Sequence, residues 1–94
     1  MSKRARGDIS KKIRDLCFTL SNNKITDTQF KIGIKEIISE YSGMAVIFQD
    51  IGLSIQKESL KYGDVLNQRV WKLADQVDNR IRDSYDKWWQ KMQQ

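Results

Sequence analysis

One apolar stripe constrains the fold of this chain more than any other feature. It keeps the 4-3-4-3 spacing of a single helix face without a miss, through Phe30, Ile34, Ile37, Tyr41, Met44, Phe48, Ile51 and Ile55. Side chains at this spacing lie along one side of an α-helix and need other helices to cover them. The stripe therefore predicts an all-α protein with a long buried seam.

Helical spacing also precedes the stripe. Apolar residues recur from Ile9 to Leu20, and Asp8 can cap this first helix by accepting from the free N–H groups of its first turn. Asn22-Asn23 favours a stop, since Asn tolerates the left-handed conformation. Thr26 followed three residues later by Gln29 is a capping-box pattern. We therefore expect a short helix over about 9–20 and a second that begins after Thr26.

The extent of the second helix decides the architecture. Ser42-Gly43 resembles a helix end, yet the stripe passes through it in phase, which favours one helix from Asp27 to about Leu60. Gly63 then forms the turn, and Asp64 caps a last helix that continues to Gln93 because it contains no Gly or Pro. The prediction is a short N-terminal helix packed on a long antiparallel helical hairpin. A break near Gly43 gives a four-helix bundle instead.

Positive charge is concentrated at the start of the chain. The net charge is +5 over residues 1–14 and zero over residues 15–94. The cations of this segment are the predicted nucleic-acid-binding residues: Lys3, Arg4, Arg6, Lys11, Lys12 and Arg14. Such a concentration is typical of a segment that contacts phosphates or an acidic protein surface. The alternative is that this segment is only a solubilising tail. The chain is predicted to be a single all-helical domain of 94 residues with a basic N-terminal arm over residues 1–8.

The composition argues against an enzyme. The chain has no histidine, which removes the commonest general base and most zinc sites. Its single cysteine, Cys17, lies on the apolar face of the first helix, where a core thiol is expected. The glycines Gly33, Gly43 and Gly52 sit in helical patterns rather than in a phosphate-binding loop. We expect no catalytic, cofactor or metal site and no small-molecule substrate.

The location expected from these features is cytoplasmic. The longest unbroken apolar run is Met44 to Phe48, far below the ~20 residues that span a bilayer. No apolar stretch follows the first positive charges, as a secretory signal would require. A single cysteine also forms no internal disulfide.

Two segments are predicted to make protein contacts. Residues 44–48 are apolar all round, so a helix there needs cover on more than one side, which predicts a dimer. The predicted interface residues are Met44, Ile47, Phe48, Ile51 and Trp89. In the hairpin, Trp88 lies beside Ile34. The aromatics Tyr85, Trp88 and Trp89 alternate with Lys87 and Lys91, a composition that also suits base stacking, but core or interface packing is the favoured interpretation.

Two functional hypotheses follow. The first is a non-enzymatic accessory or assembly protein that self-associates through apolar helix faces and contacts nucleic acid through its basic N-terminal segment. The second is a helical adaptor or inhibitor that binds a protein partner through the same basic arm and an apolar helix surface, with no nucleic-acid contact.

Overall fold

Five α-helices make up the described part of the protein. The structure is a computed structural model that describes residues 3–94, with side chains described from Gly7 onward. The helices are α1 (Lys3–Ser21), α2 (Asp27–Glu40), α3 (Ile47–Leu60), α4 (Asp64–Val77) and α5 (Arg80–Met92). Residues 3–94 contain no β-strand. The all-α prediction is confirmed.

Local capping signals correctly place some of the helix ends. The Gln29 backbone N–H donates to Thr26 Oγ1 at 3.1 Å, and the Thr26 N–H donates to Gln29 Oε1 at 2.8 Å, which is the predicted capping box. Asn23 follows α1 with φ 58°, as expected of a left-handed stop. The predicted caps of Asp8 and Asp64 are wrong. Asp8 lies inside α1, and Asp64 is the first residue of α4 with Gly63 at the N-cap.

The predicted long middle helix is wrong. α2 ends at Glu40, and residues 41–46 form turns before α3 begins at Ile47. The stripe survives because the Met44 N–H still bonds to the Tyr41 carbonyl at 3.0 Å, so the turns advance with nearly helical spacing and return Met44 to the core. Every stripe residue is buried except Tyr41 and Phe48, which are half-buried.

The predicted single last helix is also wrong. Asp78 is extended, with φ −163° and ψ 114°, and it separates α4 from α5. Its side chain begins the next helix, because Asp78 Oδ1 accepts from the Arg80 backbone N–H at 3.0 Å. The break at residues 41–46 is the one on which the four-helix bundle depended, and the second break at Asp78 gives a compact, bundle-like fold of five described helices instead of four.

Helix α3 is the centre of the fold, since α1, α4 and α5 all pack against it. Glycine permits the close approach of α5 to α3. A Cβ added at Gly52 of α3 would lie 2.9 Å from the Tyr85 Cβ and 3.2 Å from the Ile81 carbonyl oxygen of α5. The α3–α5 crossing is thus set by a residue without a side chain.

A polar network fixes α4 on α3. Asn67 Nδ2 donates to Ser59 Oγ at 2.8 Å and to Gln56 Oε1 at 3.1 Å. The indole N–H of Trp71 donates to the same Gln56 oxygen at 2.8 Å. Ser59 is fully buried, and its hydroxyl donates to the Ile55 carbonyl at 2.6 Å. Because these buried polar groups are paired, burial costs little and the orientation of Trp71 is defined.

Candidate nucleic-acid interface

The first candidate surface is the α1 basic face, which we define as Lys11, Lys12 and Arg14. All three side chains are exposed. They point outward because Ile9, Ile13, Cys17 and Leu20, on the opposite face of α1, are fully buried against the body. Helix periodicity therefore accounts for this exposure directly.

The remaining cations of the predicted set are Lys3, Arg4 and Arg6. Their backbone belongs to the first turns of α1. Their side chains lie outside the described residues, so their contribution stays a prediction.

A nearby carboxylate partly neutralises one cation of the α1 basic face. Lys12 Nζ lies 3.6 Å from Glu40 Oε2, and both groups are about half-exposed. No ion pair is recorded for Lys11 or Arg14 with any side chain described from residue 7 onward. An exposed ion pair of this kind is worth little, but it lowers the local positive potential at Lys12. Lys11 and Arg14 are exposed without such an ion pair, and Asp8, Asp15 and Glu40 line the groove that Lys11 shares with Lys12.

The structure places most of the predicted interface residues inside one chain. Met44, Ile47 and Ile51 are buried, because α3 is covered by other helices of the same chain. Phe48 is half-buried, with the Arg80 Cζ 4.4 Å from its ring centroid. Trp89 is 50% exposed. Of the five predicted interface residues, Trp89 is the most accessible to a partner, and the dimer stays a prediction.

An aromatic ladder joins the core to the surface of α5. Ring centroids lie 5.3 Å apart for Trp71 and Tyr85, 5.7 Å for Tyr85 and Trp88, and 6.3 Å for Trp88 and Trp89. All three pairs are tilted, a geometry that is favourable for aromatic quadrupoles. Burial decreases along the ladder, from buried Trp71 to exposed Trp89. The outer rings are therefore held by the inner ones while remaining accessible.

The second candidate surface is a groove of about 280 Å³ between the start of α3 and the outer half of α5. We call it the α3–α5 groove. Its lining residues are Ala45, Val46, Phe48, Gln49, Ser84, Lys87, Trp88 and Lys91. This lining contains two lysines and no carboxylate. The groove between α1 and α2, in contrast, is lined by Asp15, Glu36 and Glu40 as well as Lys12.

Sequence reasoning identified part of the second surface. The alternation of Lys87, Trp88 and Lys91 was visible in the sequence. The opposite wall was not predicted beside them: Phe48 was expected at a protein interface and Gln49 had no predicted role, because this wall exists only when the chain turns at residues 41–46. No local sequence signal pairs that turn with α5.

Comparisons with family models, with curated proteins and with solved structures gave no match for this chain. Between residues 3 and 94, no helix combines the length and apolarity that crossing a membrane requires. The same described residues contain no group of three or more His, Cys, Asp or Glu side chains arranged to hold a metal ion. The two surfaces are therefore the features of the molecule from which a function can be inferred.

Proposed function

We propose that this protein is a non-enzymatic, nucleic-acid-binding accessory protein that contacts the phosphate backbone through its basic N-terminal segment. The observation that carries the proposal is the distribution of charge. The net charge of +5 belongs to residues 1–14, whereas the remaining 80 residues are neutral. Lys11 and Arg14 in this segment are exposed and have no recorded ion pair among the described side chains.

The α1 basic face can contact the phosphates of a duplex or of a single strand equally well. Phosphate contacts fix position and supply affinity, but they carry no base information. A rigid helix that presents cations from one face is suited to such contacts, because its apolar face is already used in the core. We therefore expect sequence-independent, salt-dependent binding.

The adaptor hypothesis remains the second candidate because apolar side chains are exposed at the far end of the chain. Trp89 is 50% exposed and Met92 is 64% exposed, and Trp is enriched in protein interfaces. On this hypothesis, the basic segment meets an acidic protein surface and nucleic acid does not bind.

The test is a binding titration of duplex DNA at several salt concentrations. Each phosphate neutralised on duplex DNA contributes about −0.9 to the slope of log K against log salt. A Lys11→Gln/Arg14→Gln variant should therefore flatten the slope by about 1.8 and weaken binding similarly on unrelated sequences. Adding Lys12→Gln should change the slope by less, because Lys12 is partly neutralised by Glu40.

The matched control is Lys24→Gln/Lys57→Gln, which removes the same charge from exposed positions outside α1. This control should bind as the unmodified protein does. If the control loses as much DNA affinity as the α1 variant, the loss depends only on net charge and the proposal is contradicted. Capture of an acidic protein, with no DNA binding at low salt, would favour the adaptor.

A further inference from the structure

We propose that the α3–α5 groove is a second, separate site that binds single-stranded nucleic acid, with bases against Trp88 and phosphates beside Lys87 and Lys91. The proposal goes beyond phosphate contact at α1, because it assigns a strand preference and a distinct surface. It does not depend on the α1 basic face.

Charge is the first argument. Lys87 and Lys91 are one helical turn apart on α5, so they project from the same side. Both are exposed, and no ion pair is recorded for either among the described side chains. No carboxylate lines the groove, so an anion placed there meets two cations, while Asp83 lies one helical turn before Lys87 outside the lining. Arg80 lies further along the same helix, over the Phe48 ring, although Asp78 pairs with it at 2.7 Å.

Aromatic geometry is the second argument. Trp88 lines the groove and is in ring contact with both Tyr85 and Trp89, at tilted angles. Because its neighbours hold the ring, little side-chain entropy remains to be lost when a base stacks on it. Stacking on an aromatic side chain is sequence-tolerant, since every base has a π-face.

The two walls of the groove match the two parts of a nucleotide. The α3 wall is mostly apolar, with Ala45, Val46 and Phe48, whereas the lysines stand on the α5 wall. Each nucleotide of a single strand offers a flat base and one phosphate, so it can lie against both walls at once. Gln49 and Ser84 add hydrogen-bonding groups at the edges without fixing a sequence. A duplex keeps its bases stacked inside and cannot use Trp88 in this way.

An acidic peptide can pair its carboxylates with Lys87 and Lys91. It does not, however, place a flat ring against Trp88 beside every negative charge, as each nucleotide of a single strand does. The combination of a cationic track and a stacking platform is the pattern of single-strand binding surfaces. We therefore favour nucleic acid over an acidic protein segment as the occupant.

The experiment measures anisotropy of a labelled oligothymidylate of about 12 nucleotides, inside the ~4–16 range of compact single-strand sites. A duplex of the same length and a Glu- and Leu-rich amphipathic peptide serve as comparison probes. The variants are Lys87→Gln/Lys91→Gln and Trp88→Leu in the full chain. The matched control is Lys24→Gln/Lys57→Gln. Circular dichroism establishes that each variant is folded.

Two results are expected. The Lys87→Gln/Lys91→Gln variant should flatten the single-strand salt slope by about 1.4, from roughly −0.7 per phosphate. Trp88→Leu should weaken oligothymidylate binding about 5- to 140-fold, the equivalent of ~1–3 kcal/mol for one stacked base, and leave duplex binding unchanged. If Trp88→Leu fails to fold, the single-strand salt slope of the Lys87→Gln/Lys91→Gln variant still tests the proposal, because both lysines are exposed.

Three results would overturn the proposal. These are a lysine-pair variant that behaves like the control, a folded Trp88→Leu variant with unchanged oligothymidylate binding, and lysine-dependent binding of the acidic peptide with none of the oligonucleotide. The Lys11→Gln/Arg14→Gln variant separates the two sites, because its loss should affect duplex and single strand alike.

Discussion

Replacing Gly52 with Ala tests the packing that builds the α3–α5 groove. The new Cβ would lie 2.9 Å from the Tyr85 Cβ and 3.2 Å from the Ile81 carbonyl oxygen. Neither atom is the free end of a flexible side chain, so relief requires α5 to shift away from α3. Such a shift moves Ser84 and Trp88 relative to the α3 wall.

The expected change in stability is a balance of two effects. Overpacking a closely packed site costs about 1–3 kcal/mol. Ala is favoured over Gly in a helix interior by about 1 kcal/mol, which offsets part of this cost. The free energy of unfolding should therefore fall by roughly 0–2 kcal/mol, and each 1 kcal/mol lowers Tm by about 4–8 °C for a domain of this size.

The assay is urea unfolding followed by circular dichroism, with Gly43→Ala as the control. A Cβ at Gly43 meets nothing within 4 Å, and its φ is not positive. Gly43→Ala should therefore change stability by less than about 0.5 kcal/mol. The packing argument is refuted if Gly52→Ala is more stable than the unmodified protein, because the helix-propensity gain of about 1 kcal/mol would then outweigh any packing cost.

Three further predictions concern a buried thiol, a helix start and self-association. Burial raises the pKa of Cys17 to about 12, so at neutral pH a thiol reagent should modify it only when the protein is unfolded in denaturant. Hydrogen bonding from Arg80 lowers the pKa of Asp78, so the contribution of this carboxylate to stability is present above the unfolded carboxyl pKa of about 3.9 and is lost as pH falls through the folded value. Asp78→Ala removes the acceptor of the Arg80 backbone N–H, so it should lower the free energy of unfolding by about 0.5–1.5 kcal/mol, the net contribution of one hydrogen bond, and make pH-dependent unfolding less sensitive to acid. Ile47→Asp should unfold the chain, since Ile47 is buried in its own core, whereas Val65→Asp, at an 83% exposed apolar position, should leave the fold intact. Sedimentation of the unmodified protein at high concentration tests the predicted dimer, and a monomer there would contradict it.

The buried face of each segment could be predicted from sequence because burial follows a local period. Ile9, Phe30 and Val70 are buried as their spacing indicates. Capping by Thr26 and Gln29 could be predicted for the same reason, since both partners lie within one turn. These features depend on residues close together in the chain.

The helix breaks could not be predicted from the period alone. A turn that advances with nearly helical spacing leaves the stripe in phase, so one helix and two helices give the same pattern. The Ser42-Gly43 pair did indicate a helix end at the first break. Asp78 and Asn79 are residues whose side chains compete for backbone groups and favour turns, and they mark the second break without any Gly or Pro.

The break at residues 41–46 also changes which residues surround Trp88. In an unbroken hairpin this ring would lie beside Ile34, where core packing accounts for it. In the observed fold it lies instead against the first turn of α3, in a groove with Phe48, Lys87 and Lys91. Trp88 is half-buried and keeps its ring contact with Tyr85, so it still packs partly as its place in the stripe predicts. The stacking role that we propose for Trp88 therefore depends on the tertiary fold and not on the sequence pattern alone.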